Sequence, residues 1–254
     1  MSGPQWLRPL WPAPAAVRAA FTLRGGGVSQ GAWAALNLGA HVGDEPQAVA
    51  RNRALTRTAL ALPDEPVWLT QQHGTRVADL DREVAPAPAD AALTRTPGRV
   101  CAILVADCLP VLFATRRGDA VAAAHAGWRG LAGGVLEATV RALGVEGTEL
   151  LAWLGPAIGP RRFEVGEEVR QAFLNADAGS GAAFQRNDRG RWLCDLAALA
   201  RRRLAALGVH AVTDESVCTY EDPARFYSHR RGAPTGRMAA LVWIAGGPGG
   251  AGTR

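Results

Sequence analysis

Two apolar segments that each lead to a reactive side chain constrain the fold of this chain most. Residues 100–105 are almost wholly apolar and precede Cys108, and the apolar residues 120–124 precede His125. Short apolar runs bounded by glycine or proline are typical of buried strands. A glycine-containing turn then leads into residues 131–143, whose apolar side chains recur at helical spacing. The pattern predicts an α/β fold with its reactive groups at strand ends, beside a helix N-terminus.

The length of the chain fits one domain. With 254 residues, 48% of them hydrophobic, it can bury one large core. No repeat or linker divides it, so we predict a single catalytic domain over residues 1–245 and a disordered glycine-rich tail over 246–254. No signal peptide or membrane-spanning run is recognisable, which favours a cytoplasmic protein without a membrane partner. We expect a monomer.

The net charge of +5 comes from arginine, because none of the 28 basic residues is lysine. Alanine, glycine, proline and arginine dominate the composition, and all four have G/C-rich codons. A G/C-rich genome therefore explains the arginines better than nucleic-acid binding does. Long blocks of like charge and RNA-binding aromatic motifs are missing from the sequence, so we expect no nucleic-acid partner.

The four cysteines lack CxxC spacing, and a chain of this length does not need disulfides. Both facts favour a reducing compartment. Cys101 lies inside an apolar run, Cys194 falls in a predicted helix, and Cys218 belongs to no metal-binding or redox motif. We interpret these three as packing residues, which leaves Cys108 as the thiol next to a strand end.

Further elements follow from apolar periodicity and from capping residues. Asp44 is the expected N-cap of the first helix, and Gly208 is expected to end the last one. The predicted strands are 17–23, 36–39, 67–70, 91–94 and 237–244, and the predicted helices are 47–61, 165–173 and 193–207.

Three side chains form a candidate metal site. His73, Cys108 and His125 each follow a strand-like segment, and two imidazoles with one thiolate suit zinc and also copper. Three protein ligands leave the fourth tetrahedral position open, as in catalytic sites. Their spacing is much longer than that of structural zinc motifs, so the residues alone leave open that they are hydrogen-bonded or buried groups without a metal. The other histidines, at positions 41, 210 and 229, are interpreted as surface or rim residues.

Several motifs, in order along nearly the whole chain, resemble those of the laccase-domain family. This family is also described as multicopper polyphenol oxidoreductases and as purine nucleoside phosphorylases. The matching segments are FTLRGGGVS at 21–29, LNLG at 36–39, QQHG at 71–74, ADCLP at 106–110, HAGWRG at 125–130, GPAIG at 155–159, FEVG at 163–166, CTY at 218–220, RR at 230–231 and TGRMA at 235–239.

The resemblance implies a layered α/β domain with mixed sheets flanked by helices. It implies that His73, Cys108 and His125 are both the metal ligands and the catalytic residues, with Zn²⁺ as the metal and copper as an alternative. The implied reaction is phosphorolysis of adenosine, inosine or guanosine, with methylthioadenosine cleavage and adenosine deamination as side activities. The partners are then a small purine nucleoside and phosphate.

Three further residues are expected to bind substrate. Arg24 and Arg129 are suited to hold phosphate, together with backbone N–H groups of Gly130 and Leu131 at the start of the predicted helix. Asn37, in the LNLG segment, is the third expected substrate-binding residue.

Other functions remain open. A metal-free Cys–His hydrolase would use Cys108 as its nucleophile, and in some bacterial relatives a role in editing cell-wall precursors is implied. A copper phenol oxidase is disfavoured because the chain has only five histidines. A binding module predicts no turnover at all. Arg161 and His229 depart from the family pattern, in which Cys and Tyr are common, and this affects the inferred substrate preference.

Overall fold

The structure, a computed structural model, describes residues 3–83 and 87–246. Within them the strands are β1 (Trp6–Leu7), β2 (Val17–Thr22), β3 (Val67–Trp68), β4 (Val77–Asp79), β5 (Ala91–Thr94), β6 (Val100–Val105), β7 (Leu109–Thr115), β8 (Val121–Ala126), β9 (Leu150–Leu154), β10 (Glu164–Val165), β11 (Phe184–Arg186), β12 (Trp192–Cys194), β13 (Ala211–Asp214) and β14 (Met238–Ile244). The helices are α1 (Pro46–Ala59), α2 (Trp128–Gly133), α3 (Val135–Leu143), α4 (Glu167–Leu174) and α5 (Leu196–Ala206).

Two large mixed sheets pack face to face. The first has the order β1-β2-β14-β6-β3, and the second has the order β13-β9-β7-β8-β5-β4. Most pairs are antiparallel, but β3–β6, β4–β5 and β9–β13 are parallel. The last strand of the chain, β14, lies between β2 and β6 near the middle of the first sheet. A small third sheet contains β10, β12 and β11.

Side chains of the central strands alternate between two cores, as the two-residue period of a strand requires. In β7, Val111 and Phe113 pack towards the helices, whereas Leu112 and Ala114 pack between the two large sheets. Since both faces of these strands are buried, their sequences are continuously apolar. The inter-sheet core also contains Trp153, which is fully buried.

The outer faces of both sheets are covered. Helix α3 packs on β5 and β8 of the second sheet. Leu36, Leu38 and Leu62 pack with outward-facing residues of the first sheet. The result is the layered α/β architecture with mixed sheets and flanking helices that the sequence predicts.

The predicted strands at 17–23, 91–94, 100–105 and 237–244 are confirmed, as is the helix at 47–61. Strand β8 is longer than expected and includes His125. Strand β7 was not predicted as a strand, although it pairs with both β8 and β9. The predicted strand at 67–70 is shorter, because β3 ends at Trp68.

Three predicted helices begin or end elsewhere. The helix expected over 131–143 is two helices, α2 and α3, because Gly134 adopts a left-handed φ of 101°. Helix α4 begins at Glu167 since Val165 pairs with Trp192 in the small sheet. Helix α5 begins at Leu196 for the same reason, and Cys194 lies in β12 rather than on a helix.

The segment 36–39 is not a strand, contrary to the prediction. The Asn37 side chain accepts from the Gly39 N–H at 2.9 Å and donates to the Gly39 carbonyl at 3.2 Å, which holds a turn-like conformation. Asp44 is not the N-cap of α1 either. That position is occupied by Glu45, and Asp44 accepts hydrogen bonds from Ser29 and Asn37.

The tail predicted to be disordered, 246–254, lies outside the described residues except for Gly246. Across residues 3–83 and 87–246, every helix is too short or too polar to cross a membrane.

Candidate metal centre

Loop and strand ends bring His73, Cys108 and His125 together. Their ligand atoms, the Cys108 sulfur and the ring nitrogens, all lie within 4.8 Å of one another. Cys108 Sγ lies 3.7 Å from His73 Nε2, and the two imidazole centroids are 4.8 Å apart. The antiparallel register of β7 and β8 explains the contact, because it pairs Pro110 with His125 and so brings Cys108 beside it.

A buried carboxylate that sequence reasoning missed organises this cluster. Asp90 is 1% exposed, and its Oδ1 lies 2.8 Å from His125 Nδ1. Because a carboxylate only accepts hydrogen bonds, Nδ1 carries the proton and Nε2 is left for the cluster. Histidine ligands of metals commonly have such a carboxylate partner. The signal in the sequence was a single acid between apolar residues, at the start of β5.

The same carboxylate holds the backbone that carries His73. Asp90 accepts from the N–H groups of Gln72 at 3.0 Å, His73 at 2.8 Å and Gly74 at 2.7 Å. His73 has a left-handed φ of 58°, which is unfavourable for a residue with a side chain. The three hydrogen bonds stabilise that conformation, so Asp90 fixes both histidines relative to each other.

Asp107, next to Cys108, ties the cluster to the C-terminal part of the chain. It also has a left-handed φ, 88°. Its buried carboxylate accepts from Thr219 Oγ1 at 2.6 Å, Ser228 Oγ at 2.9 Å and the Arg230 N–H at 2.7 Å. Two loops that are more than 100 residues away in sequence are thereby anchored beside Cys108.

Gly127 allows the backbone to approach the cluster closely. A Cβ at this position would lie 2.9 Å from both Cys108 Sγ and His73 Cδ2. Atoms cannot approach that closely without displacing one another, so any side chain here would push two of the three candidate ligands apart.

The charges of the cluster stabilise a thiolate next to an imidazolium. Burial alone would raise the pKa of Cys108, but His125 and His73 lower it to about 6. Burial alone would lower the pKa of His125, but Cys108 and Asp90 raise it to about 9. Burial opposes ionisation of Asp90 too, yet its hydrogen bonds from His125, Gly74 and Gln72 lower its pKa. The carboxylate and the thiolate are thus both anionic near neutral pH.

The donor set and its spacing fit a zinc ion. Tetrahedral zinc with bonds near 2.0–2.3 Å separates its ligand atoms by roughly 3.4–3.6 Å. The distance of 3.7 Å between Cys108 Sγ and His73 Nε2 already approaches that value. One thiolate and two imidazoles, one of them oriented by a carboxylate, also meet the preferences of copper.

The cluster opens into a cavity of about 570 Å³. One side is apolar and includes Ile158, Phe163 and Val165. The cavity is also lined by polar and charged side chains. These include the arginines at positions 129, 191, 230 and 237, the histidines at positions 41 and 229, and the acids Asp107, Glu164 and Glu168. A cavity of this size and charge can take a small molecule that carries a negative group.

The expected substrate-binding residues occupy different places. Arg129 lines the cavity and is exposed, with its guanidinium 4.4 Å from the centre of the Trp128 ring. Arg24 and Asn37 are not among the described residues that line the cavity. The Arg24 guanidinium donates to the carbonyls of Ala34 and Pro223.

Two further predictions concern the backbone N–H groups expected to bind phosphate and the two positions that depart from the family pattern. The Leu131 N–H donates to the Gly127 carbonyl at 2.8 Å, so it is not available to an anion. Of the two departures from the family pattern, His229 lines this cavity, whereas Arg161 lies on a separate one and pairs with Glu221.

The remaining cysteines and histidines lie apart from the cluster. Cys101 and Cys194 are buried, and burial raises the pKa of both thiols well above the usual range. Cys218 accepts a hydrogen bond from the Gly159 N–H at 3.1 Å. His41 and His229 are exposed at the rim of the cavity, as predicted, and His210 is an exposed residue elsewhere.

Comparison with known proteins identifies relatives over almost the whole chain. The sequence profile described as multi-copper polyphenol oxidoreductase laccase matches residues 18–245. A protein of Pseudomonas aeruginosa named purine nucleoside phosphorylase is 56% identical over 240 residues, which cover 94% of this chain and 98% of that protein. The purine nucleoside phosphorylase YfiH of Escherichia coli is 52% identical over 238 residues, covering 93% and 97% respectively.

Solved structures show the same fold. The Neisseria meningitidis protein NMB0706 superposes with a TM-score of 0.91 at 48% identity, covering 95% of this chain and 99% of that one. YlmD from Geobacillus stearothermophilus superposes with a TM-score of 0.89 at 32% identity, covering 97% of this chain and 98% of that one.

Proposed function

The chain belongs to the multi-copper polyphenol oxidoreductase laccase family, and we propose that it is a purine nucleoside phosphorylase whose metal is zinc. The single observation that carries this proposal is the cluster of His73, Cys108 and His125 at the floor of a cavity rich in arginine. The names of the relatives from P. aeruginosa and E. coli support the choice of substrates. We infer that adenosine, inosine and guanosine are substrates, with methylthioadenosine cleavage as a further activity.

Phosphorolysis exchanges one bond at the ribose for another. An oxygen of hydrogen phosphate forms a bond to C1′ while the bond between C1′ and N9 of the purine breaks. The electron pair of the broken bond stays on the purine, which takes up the proton released by phosphate. The products are the free base and ribose 1-phosphate, so no oxidant or reductant is needed.

The residues of this chain fit the demands of that exchange. The apolar side formed by Ile158, Phe163 and Val165 offers a surface for the purine ring. The arginines compensate the charge of phosphate, which would otherwise repel the Cys108 thiolate and Asp107. A zinc ion held by the three ligands would supply Lewis acidity at the open end of the cluster.

The test is a product assay on protein purified without added metal. We expect inosine to give hypoxanthine and ribose 1-phosphate in equal amounts, only when phosphate is present. Chelation should remove the activity, and zinc should restore it. Restoration by copper alone, with phenols turned over faster than nucleosides, would instead support the oxidase function. Absence of any turnover in zinc-loaded protein would support a binding module.

A second candidate function has one observation in its favour. The lowered pKa of Cys108, about 6, and the contact with His73 also describe a Cys–His nucleophile pair. Such a hydrolase would form a thioester while the C–N bond of an amide breaks, and the leaving amine would take a proton from the imidazolium. Water would then release the acyl group as a carboxylic acid, return a proton to the imidazole and leave the thiolate. Hydrolysis of an acyl substrate by metal-stripped protein, abolished by alkylation of Cys108, would make this thiol a nucleophile.

Adenosine deamination is a proposed side activity of the same site. Water would replace the amino group at C6 of adenine, releasing ammonia and inosine. We expect inosine to accumulate from adenosine when phosphate is omitted. Cys108→Ala should remove deamination and phosphorolysis together, since both are proposed to depend on the same three ligands.

A further inference from the structure

We propose that Arg237 binds the phosphate substrate and that the LNLG segment at 36–39 positions this arginine. The inference rests on the proposed phosphorylase function, which it deepens by naming the residue that recognises the anion. Arg237 is half-buried and lines the cavity of the metal centre. It immediately precedes β14, and the backbone of that strand keeps it in place.

Part of the Arg237 guanidinium is free to donate hydrogen bonds. Its Nη1 donates to the carbonyls of Thr235 at 2.9 Å and Gly236 at 3.1 Å. Its Nε and Nη2 have no hydrogen-bond partner within the described part of the chain, and no carboxylate there pairs with it. Two free N–H directions on a planar guanidinium match two oxygens of a phosphate group.

Residues 37–39 fix the position of Arg237. Asn37 is 0% exposed, and its Oδ1 accepts the Arg237 N–H at 2.9 Å. The Leu38 N–H donates to the Arg237 carbonyl at 3.1 Å. A Cβ at Gly39 would lie 2.8 Å from Arg237 Cγ, so glycine leaves room for the arginine stem. Asn37 thus acts on substrate through Arg237 rather than by touching it.

Arg237 shares its cavity with the candidate ligand Cys108 and with Asp107 and His41. An anion bound to Arg237 would therefore occupy the same cavity as the candidate metal centre. Arg24 does not share this location, because it is not among the described residues that line the cavity and its guanidinium donates to the backbone carbonyls of Ala34 and Pro223.

The other arginines of the cavity are less suited. Arg191 lies 3.6 Å from the Glu164 carboxylate, which compensates its charge. Arg230 donates to the Glu164 carbonyl at 2.7 Å and lies over the Phe163 ring. Arg129 is exposed and stacks on Trp128, so a phosphate there would remain in contact with water and would be held less tightly.

The test measures phosphate saturation in Arg237→Gln, Arg237→Lys and Gly39→Ala, with zinc-loaded protein and inosine. Loss of one charged hydrogen-bonding group should raise the KM for phosphate about 10- to 100-fold in Arg237→Gln. The KM for inosine and the amount of zinc bound per protein molecule should not change. Arg237→Lys should recover part of the loss, and Gly39→Ala should raise the phosphate KM by a smaller factor. Arg82→Gln is the matched control, because the Arg82 side chain is 84% exposed and, among the described residues, forms an ion pair only with Asp79.

Binding of inorganic phosphate to zinc-loaded protein, followed by calorimetry, separates this inference from the proposed reaction. If the wild type binds phosphate and Arg237→Gln does not, the result supports Arg237 as the phosphate-binding residue even when no nucleoside is cleaved. An unchanged phosphate affinity in Arg237→Gln with full zinc content overturns it, and so does a wild type that binds no phosphate. A rise in phosphate KM in Arg129→Gln but not in Arg237→Gln would assign the anion to Arg129 instead.

Discussion

Two cysteines only seven residues apart, Cys101 and Cys108, lie in opposite environments. Cys101 is the second residue of β6 and faces the core between the two large sheets, where it is 0% exposed. Cys108 lies between the end of β6 and the start of β7, partly exposed and in contact with two histidines. Burial raises the pKa of the first thiol, whereas the imidazoles lower that of the second to about 6. The acidity of each thiol therefore depends on its position relative to the end of β6: within the strand it is buried, and beyond the strand end it contacts imidazoles.

The two regions also differ in how their backbone is held. The inter-sheet core consists mainly of regular strands with buried apolar side chains, which range in size from Ala123 of β8 to Trp153 of β9. At the metal centre, His73 and Asp107 adopt left-handed conformations and are held by hydrogen bonds to carboxylates. Hydrogen bonds to polar side chains hold these backbone positions in place, and the apolar interior of a strand does not offer such partners.

The largest difference between the two regions should appear when each thiol is removed. We expect Cys108→Ala to lose its zinc and all nucleoside turnover, because two imidazoles remain from a three-ligand site. Cys101→Ala should keep both and lose about 1 kcal/mol of unfolding free energy, as expected for one buried atom. Zinc content, turnover and thermal unfolding check this pair. Retention of stoichiometric zinc in Cys108→Ala would contradict the ligand assignment.

Alkylation of the metal-free protein should separate the same thiols by rate. Thiolate is the nucleophile, so the reaction of Cys108 with iodoacetamide should increase as the pH rises through about 6 and level off above it. At pH 7, we expect Cys101 and Cys194 to react at least about 100-fold more slowly until the protein is unfolded, because both are buried and protonated. Peptide mass mapping identifies the modified residue. Added zinc should protect Cys108, and equal labelling of all three thiols would contradict the comparison.

Removing the carboxylate partner tests whether the metal centre depends on its polar support. We expect Asp90→Asn to weaken zinc binding by about 10- to 100-fold, since it no longer fixes the tautomer of His125. Zinc titration gives the affinity, and the ¹⁵N shifts of the His125 ring report the tautomer. Asp188→Asn, at an exposed position, is the matched control. An unchanged His125 tautomer in Asp90→Asn would show that the negative charge of Asp90 is not required to set the tautomer.

A smaller effect is expected from crowding the cluster without removing any ligand. The new methyl group in Gly127→Ala would meet Cys108 Sγ and His73 Cδ2, which should weaken zinc binding about tenfold. Gly232→Ala provides the comparison, because a Cβ there meets no atom within 4 Å. Zinc titration of both variants checks the expectation. Equal affinities would mean that the backbone at Gly127 can move away.

Much of the fold could be predicted from local patterns. The apolar runs at 100–105 and 237–244 are strands because both of their faces are buried. The sequence did not indicate β7 as a strand. It contains Pro110, and a proline argues against a strand that is paired on both sides, as β7 is with β8 and β9. The segment 36–39 alternates like a strand, but the side chain of Asn37 competes for the backbone hydrogen bonds.

The metal centre was only partly visible in the sequence. The three candidate ligands belong to types with a known chemistry, so their residue identities carried the prediction. The sequence did not single out Asp90, the partner of His125, or Arg237, the proposed phosphate-binding residue, because their roles depend on contacts across the chain. Asp90 meets His125, 35 residues later, and Arg237 meets Asn37, 200 residues earlier. Arg24 was expected to hold phosphate, but it is not among the described residues that line the cavity, and it makes three hydrogen bonds to backbone carbonyls that no motif reveals.

The position of β14 governs when the protein can fold during its synthesis. This strand is made last, yet it lies between β2 and β6, which are made much earlier. Until residues 238–244 leave the ribosome, these two strands present unpaired edges towards each other, and such edges promote aggregation. The pairing is also far apart in sequence, which slows folding. The first sheet can therefore be completed only once residues 238–244 are available, and until then the unpaired edges of β2 and β6 are open to wrong pairing.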